Sequence, residues 1–168
     1  GLDSEGHRAA VEAGTPTVAF LGTAIDTTYP AANLKLRQRI EKDGGAVCSE
    51  YPPGYQGKQK GTFLARNRLI AGLSEVLCVA EARIRSGTLN TVSHAERLGR
   101  PVLAVPGSIY SPQSQGTNEL LRTGRAGVLS KASDVLDCMG VAVEAAAPQQ
   151  SAFAPEETSP DAQAVYAA

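Results

Sequence analysis

The fold is decided by the segment Val76-Leu77-Cys78-Val79-Ala80-Glu81-Ala82-Arg83-Ile84-Arg85-Ser86-Gly87-Thr88-Leu89. It begins with five apolar residues, continues through a turn of small, hydroxylated and cationic residues, and ends where a helical pattern starts. A strand, a turn and a helix in this order form the repeating unit of a parallel sheet with crossover helices. We therefore expect an α/β protein in which this unit recurs.

Short apolar runs do alternate with helical patterns along the chain. Strands are predicted at Thr17–Leu21, Ala46–Ser49, Val76–Ala80, Val102–Val105 and Gly127–Leu129. Helices are predicted at Ser4–Ala13, Ala31–Lys42, Leu64–Leu73, Leu89–Leu98, Asn118–Arg122 and Ala132–Met139. Because the strands are apolar nearly throughout, we expect helices to cover both faces of the sheet. The sequence predicts a three-layer Rossmann-like fold with a mainly parallel sheet.

The chain divides into three regions by composition. Residues 1–142 carry the α/β pattern and are predicted to form the folded core, with its opening strand missing. Residues 143–158 are rich in alanine, proline and glutamate, which is typical of a disordered linker. Residues 159–168 start with Ser159 and Pro160, a pair that favours a helix start, and are predicted to begin a truncated C-terminal region.

The charge of the chain is unevenly distributed. The formal net charge is −1, which by itself argues against a polyanionic ligand. Between Lys58 and Arg100, however, eight cationic side chains stand against three anionic ones, and the segment after Ala142 carries acidic residues and no cation. A local basic stretch matters more for nucleic-acid binding than the total charge. The alternative is that these charges merely solvate helix faces.

Residue patterns for catalysis or metal binding are sparse. Cys48, Cys78 and Cys138 lack the short spacing of a zinc or redox motif, and Cys78, inside an apolar run, is expected to pack as a small hydrophobe. His7 is expected to bond to a neighbouring loop, and Asp26 either contacts a ribose hydroxyl or orders its turn. We predict no metal, no cofactor and no enzymatic activity.

Nothing in the sequence indicates a membrane protein. No run approaches the roughly 20 apolar residues of a membrane span, and the first residues do not resemble a signal peptide. The sequence therefore predicts a cytoplasmic protein.

One candidate phosphate site is the segment Arg83-Ile84-Arg85-Ser86-Gly87-Thr88. Ligands of open parallel sheets bind at the carboxyl ends of the strands. Glycine lets a backbone approach a phosphate, and free amides at a helix start attract anions. Two guanidinium groups add to this attraction. The alternative is that Ser86 and Thr88 only cap the helix.

A second candidate group contains Lys58, Lys60, Phe63, Arg66 and Asn67. The two lysines can neutralise phosphates, Phe63 can stack on a base, and Arg66 with Asn67 can bond phosphates or base edges. Cations interleaved with an aromatic ring are typical of single-strand binding. The alternative makes Phe63 a core residue, and the spacing does not decide between these interpretations.

In their order along the chain, several motifs resemble those of the DNA-processing protein A (DprA/Smf) family. They are Gly1-Leu2-Asp3 with His7, Ala19–Pro30 with Asn33, Ser49–Gly54, Phe63–Ser74, Glu81 with Arg85–Leu89, Val105–Ser108, and Gly116–Asn118 with Leu121. The resemblance covers residues 1 to about 139. Several motifs in the same order along the chain indicate a family more specifically than a single glycine-rich motif does.

The resemblance implies a single-stranded DNA-binding recombination mediator that forms homodimers, protects incoming DNA and helps load RecA recombinase in natural transformation. It makes Lys60, Phe63, Arg66, Asn67 and the loop of Arg85, Ser86, Gly87 and Thr88 the DNA surface. It also places dimer and RecA contacts late in the fold, where Asn118, Leu121 and Arg122 are candidates. Many members end in a winged helix, so residues 159–168 would be its beginning.

The alternative is a nucleotide-binding or nucleotide-hydrolysing protein of the lysine-decarboxylase-like phosphoribohydrolase superfamily, which shares the fold. Those enzymes carry a P-G-G-x-G-T-x-x-E segment with the catalytic glutamate. The comparable loop here, Arg85–Thr91, has no acid after it. A scaffold that binds no nucleic acid is supported only by the near-neutral overall charge.

Overall fold

The computed structural model describes residues 1–57 and 59–141, and for Gln59 and Lys60 the backbone alone. The predicted linker at 143–158 and the C-terminal region at 159–168 lie outside the described residues. Six α-helices are described: α1 Leu2–Glu12, α2 Leu34–Lys42, α3 Gln59–Leu73, α4 Gly87–Arg97, α5 Gln115–Arg122 and α6 Ala132–Cys138. The described strands are β1 Val18–Phe20, β2 Ala46–Cys48, β3 Leu77–Val79, β4 Val102–Ala104 and β5 Gly127–Val128.

Every strand pairing among the described residues is parallel, as predicted. β1 pairs with β2, with Val18 opposite Ala46. β4 lies between β3 and β5, with Leu77 opposite Val102 and Leu103 opposite Gly127. The strands thus form two hydrogen-bonded groups, and α3 packs against both β1 and α4. This parallel arrangement places the loops that follow the strands along one edge, which we call the carboxyl edge.

The main core lies between β3–β4 and the helices α3, α4 and α5. β4 is buried throughout, and Thr91, Val92 and Ala95 form the buried face of α4. Leu120 of α5 completes the cluster and is almost fully buried. Burying one such aliphatic side chain contributes about 1.5–3 kcal/mol. This packing fixes the start of α4 relative to the strands.

β4 is buried on both faces as predicted, whereas β1 and β3 each leave one position exposed. Val79 points into the core and is buried, whereas Cys78, on the opposite face of β3, is exposed. Val18 of β1 is 49% exposed. Successive side chains of a strand point to opposite faces, so the described residues leave the face of β3 that carries Cys78 uncovered at that position. The expectation that Cys78 packs as a buried hydrophobe was therefore wrong.

Four helices begin earlier than predicted. α1 begins at Leu2 instead of Ser4. The other three start in segments that contain glycine: α3 begins at Gln59 instead of Leu64, α4 at Gly87 instead of Leu89, and α5 at Gln115 instead of Asn118. Tertiary contacts outweigh the low helix propensity of glycine at these starts. A Cβ atom on Gly116 would lie 2.6 Å from the carbonyl oxygen of Ala82, so glycine permits the close approach of α5 to the loop after β3.

Candidate nucleic-acid interface

A cleft of about 480 Å³ lies at the carboxyl edge, between α3 and the start of α4. It is lined by Phe63, Leu64, Arg85, Ser86, Gly87 and Asn90, and we call it the α3–α4 cleft. An adjoining cavity of about 290 Å³ shares Phe63 and Gly87 and adds Arg66, Asn67 and Thr88. The fold thus brings together the predicted site residues whose side chains are described. Lys58 lies outside the described residues, and only the backbone of Lys60, in the first turn of α3, is described.

The start of α4 is free of side-chain capping. Ser86 occupies the N-cap position with an extended backbone but makes no side-chain capping bond. Its Oγ is buried and has no hydrogen-bond partner among the described residues. The interpretation of Ser86 as a simple capping residue was therefore wrong. The first amides of a helix lack intrahelical partners, so this helix start can attract an anion.

Two exposed arginines stand on the loop that leads to Ser86. The side chains of Arg83 and Arg85 make no ion pair or hydrogen bond with any described residue, although Glu81 lies on the same loop. In contrast, Arg68 pairs with Glu50 and Arg125 with Glu96. Unpaired guanidinium groups beside a helix start make a favourable place for a phosphate.

Phe63 is held against the end of β1. A Cβ atom on Gly22 would lie 2.6 Å from Cδ1 of Phe63, so only glycine allows the ring this position. The guanidinium of Arg66 lies over the ring, 5.7 Å from its centroid. Thr62 Oγ1 donates to the carbonyl oxygen of Gly22 at 2.5 Å, which fixes the first turns of α3 against β1.

Arg66 and Asn67 are occupied by structural contacts. Arg66 donates to the carbonyl oxygen of Phe20 and, through Nε, to Oδ1 of Asn67 at 3.2 Å. Burial lowers the pKa of Arg66, and Asp3 partly offsets this effect. Asn67 is only 8% exposed, and its Nδ2 donates to the carbonyl oxygen of Gly87 and to Oδ1 of Asn90. These bonds position α3 against β1 and α4, and the contacts of the two side chains with phosphates or base edges stay a prediction.

Sequence reasoning assigned no role to Tyr29, which the structure places beside Phe63. The two ring centroids are 5.7 Å apart and the ring planes are tilted by 58°. Tyr29 follows β1 and Phe63 belongs to α3, and nothing local in the sequence links the two positions. The available signals were that Tyr29 follows a predicted strand and that it lies in the motif Ala19–Pro30 with Asn33.

The two residues weighed for catalysis have structural partners. Nδ1 of His7 lies 2.8 Å from Oγ1 of Thr17, which confirms the predicted bond to a neighbouring loop. Oδ2 of Asp26 accepts a hydrogen bond from the amide of Gly54 at 2.9 Å, so this carboxylate orders its turn. Within the described part of the chain, no three histidine, cysteine or acidic residues are grouped to hold a metal ion.

Two of the three candidate partner-contact residues, Asn118 and Leu121, are half-buried and have structural contacts. Asn118 accepts from the amide of Gly107 at 3.1 Å and donates to its carbonyl oxygen at 2.9 Å. Leu121 packs against the core. Arg122 is exposed and pairs with Glu119 at 2.6 Å. A partner contact through Asn118, Leu121 or Arg122 stays a prediction.

The fold and this site define a Rossmann-like α/β protein with an anion-attracting cleft and aromatic rings at the carboxyl ends of its strands. A model of the family described as DNA recombination-mediator protein A matches residues 1–140. The chain belongs to this family.

Among the described residues, no helix is long and apolar enough to cross a membrane.

Two relatives show how much of a family member the chain represents. It is 45% identical over 136 residues to DNA processing protein DprA of Streptococcus pneumoniae, covering 81% of this chain and 47% of that protein. It is 33% identical over 159 residues to Protein Smf of Escherichia coli, covering 94% of this chain and 42% of that protein. The chain thus spans less than half the length of these relatives.

Two solved structures share the fold. The X-ray structure of DNA processing protein A from Streptococcus pneumoniae matches with a TM-score of 0.74 and 43% identity, over 82% of this chain and 47% of that one. DNA processing protein A from Helicobacter pylori, whose structure concerns its single-stranded DNA binding mode, matches with a TM-score of 0.65 and 25% identity. That match covers 79% of this chain and 69% of the Helicobacter pylori chain.

Proposed function

We propose that this chain binds single-stranded DNA in the α3–α4 cleft, with a phosphate at the start of α4 and bases near Phe63. The observation that carries the proposal is the unpaired Arg85 beside the unpartnered Ser86 hydroxyl, in one cleft with an aromatic ring. A phosphate oxygen would satisfy that hydroxyl and the free amides together. Arg83 lies on the same loop and supplies a second charge.

Single-stranded DNA fits this cleft better than a duplex does. Bases of a single strand are free to stack on aromatic side chains, whereas bases in a duplex are already stacked on one another. The binding described for the Helicobacter pylori relative supports this choice of ligand. No catalytic step is part of the proposal.

The proposal extends to a role in recombination. We infer that the protein protects incoming single-stranded DNA and helps to load RecA recombinase in natural transformation, as a homodimer in the cytoplasm. Membership of the recombination-mediator family supports this role. Arg122 is the residue to test for partner contacts, because it is the exposed member of the predicted group.

The test is fluorescence anisotropy of a labelled oligo-dT strand, repeated with duplex DNA and across a salt series. We expect binding to the single strand to be tighter, and to weaken as salt rises because phosphate contacts release counterions. Equal affinity for single strand and duplex, or binding that does not respond to salt, would contradict the proposal.

A further inference from the structure

Exposed apolar side chains lie beside the unpaired arginines of the carboxyl edge. Ile84, between Arg83 and Arg85, is 57% exposed. Ile109 and Tyr110, on the loop after β4, are 74% and 89% exposed. We call these five residues the edge surface. The phosphates of DNA use arginines but not aliphatic side chains, whereas arginine combined with aromatic and apolar side chains is typical of surfaces that bind polypeptide.

Hydrogen bonds join the two loops of the edge surface into one ordered unit. The amide of Ala82, directly before Arg83, donates to the carbonyl oxygen of Gln113 at 2.8 Å. The amide of Gly116 donates to the carbonyl oxygen of Ala82 at 2.7 Å. The loop after β4 is therefore fixed beside the loop that carries the two arginines. A surface that is already ordered loses little freedom when it binds a partner, which favours affinity.

This chain contains a segment whose chemistry complements the edge surface. Residues 151–161 hold one aromatic side chain, three carboxylates and no cation. These side chains are Phe153, Glu156, Glu157 and Asp161. All 16 cationic side chains of the chain lie within residues 1–141, whereas four of its 17 acidic residues lie within residues 142–168. The two parts thus carry net charges of opposite sign and attract each other.

The segment lies outside the described residues, and its reach follows from where α6 ends. α6 begins soon after β5, at the carboxyl edge, and its seven residues carry the chain back by about 10 Å. β5 is the neighbour of β4, and neighbouring strands lie about 5 Å apart. Residues 142–151 span up to about 35 Å when extended. Residues 151–161 can therefore return to the loop that follows β4.

We propose that residues 151–161 dock on the edge surface of their own chain and compete with single-stranded DNA for its arginines. Two of the carboxylates would pair with Arg83 and Arg85, since bonds between guanidinium and carboxylate groups are among the stronger polar contacts. Phe153 would pack against the apolar side chains of the edge surface. The inference rests on the proposed single-strand binding and gives that site a built-in competitor, which a strand with many phosphates displaces.

Removal of the carboxylates tests the competition. In the whole chain, Glu156→Gln/Glu157→Gln/Asp161→Asn should bind oligo-dT about 2- to 30-fold more tightly at about 0.1 M salt, the range for two exposed ion pairs that no longer compete. The gain should shrink as salt rises, because salt screens exposed charges. Fluorescence anisotropy measures the affinities of both proteins.

A matched control changes the net charge by the same amount at another place. Glu12, Glu75 and Asp137 are exposed and lie near the amino edge, where the strands begin. Glu12→Gln/Glu75→Gln/Asp137→Asn should bind oligo-dT like the wild type, because at this salt concentration exposed charges act over only about 10 Å. An equal gain in the control would overturn the docking. Thermal unfolding followed by circular dichroism checks that both variants remain folded.

A tryptophan reporter tests the docking without DNA. The chain contains no tryptophan, so Phe153→Trp introduces a single one into the segment. Its emission should move to longer wavelength when Ile109→Ala/Tyr110→Ala is added, because the ring then returns to water. Saturating oligo-dT should cause the same shift, and dilution of the protein should not.

The outcomes separate the docking from the proposed function. If neither the wild type nor the variant without the three carboxylates binds oligo-dT, the proposed function fails, and the emission of the DNA-free protein still decides the docking. If both bind equally well and the emission does not respond to Ile109→Ala/Tyr110→Ala, the docking is overturned while the function stands. A shift on dilution would assign the segment to a second copy of the chain and overturn docking within one chain.

Discussion

The two edges of the sheet treat their arginines differently. At the amino edge, where the strands begin, Arg125 pairs with Glu96 at 2.7 Å and Arg39 lies 3.8 Å from Asp43. At the carboxyl edge, Arg83 and Arg85 have no partner among the described residues. Exposed ion pairs contribute little to stability, but each pair neutralises the charge of its arginine. Among the described residues, Arg100 at the amino edge is also without a side-chain partner, but it lies beside neither a helix start nor the cleft, whereas Arg85 lines the cleft and Arg83 lies on the same loop. The carboxyl edge is therefore the edge suited to a polyanion.

The largest expected effect comes from removing the two unpaired charges. The double variant Arg83→Ala/Arg85→Ala should weaken oligo-dT binding by more than about tenfold, since each guanidinium bond to a phosphate is a charge-assisted contact. Fluorescence anisotropy at fixed salt measures the change. Arg100→Ala is the matched control, because Arg100 is exposed at the amino edge and has no partner among the described residues. Equal losses of oligo-dT affinity in the double variant and in Arg100→Ala would mean that the total charge of the protein, and not the charge at the carboxyl edge, determines binding.

The next effect concerns Ser86, whose substitution should change binding and stability in opposite directions. Ser86→Ala should weaken oligo-dT binding by about 2- to 10-fold, because one hydrogen bond to the phosphate is lost. It should raise the free energy of unfolding by about 1 kcal/mol, because a buried hydroxyl without a partner is removed. Denaturant unfolding and anisotropy measure the two quantities.

Ser93→Ala is the control for Ser86, because Ser93 lies on the same helix and its Oγ bonds within the helix, to the carbonyl oxygen of Leu89. It should leave DNA affinity unchanged. A Ser86→Ala protein that loses stability but keeps its affinity would show that Ser86 only supports the fold.

The smallest effect is a pH dependence at the amino edge of β1. Burial lowers the pKa of His7 below its ordinary value of 6.5, and Asp3 partly opposes this. The unfolded chain therefore binds more protons, so stability is complete above about pH 6.5 and falls as the pH drops below it. Melting temperatures at about pH 7.5 and about pH 5.5 should differ in that direction, and less so in His7→Asn.

The carboxyl edge should not share this pH dependence, because guanidinium groups stay charged throughout that range. Oligo-dT affinity of the folded protein should therefore be nearly constant between the two pH values. A melting temperature that does not change would contradict the burial of a neutral His7.

The order of elements could be predicted because it follows from local patterns. Apolar runs of four or five residues marked the strands, and the turn before Leu89 marked the start of a helix within two residues. Arg85 and Gly87 could be placed at the carboxyl edge because they follow a predicted strand. These inferences need only periodicity and topology, whereas Phe63 was joined to Arg85 and Gly87 only by the resemblance to the family.

The distribution of charge over the surface could not be predicted. A count of charged residues along the sequence does not show at which edge of the sheet each of them lies. The eight cations between Lys58 and Arg100 suggested one basic surface. Helix α4 carries the chain to the opposite edge, so Arg97 and Arg100 lie far from Arg85. The structural roles of Arg66 and Asn67 depend on backbone oxygens of Phe20 and Gly87, and the pairing of Tyr29 with Phe63 joins two separate elements. Such non-local contacts leave no pattern in a single sequence.

The difference between the edges is tested most directly by hydrogen exchange of the whole chain with and without saturating oligo-dT. Amides that bond to a ligand or are covered by it exchange more slowly. We expect slower exchange in residues 83–90, at the start of α4, and no change in residues 98–101 and 123–126 at the amino edge. Slower exchange at the amino edge, with none at the start of α4, would contradict the account.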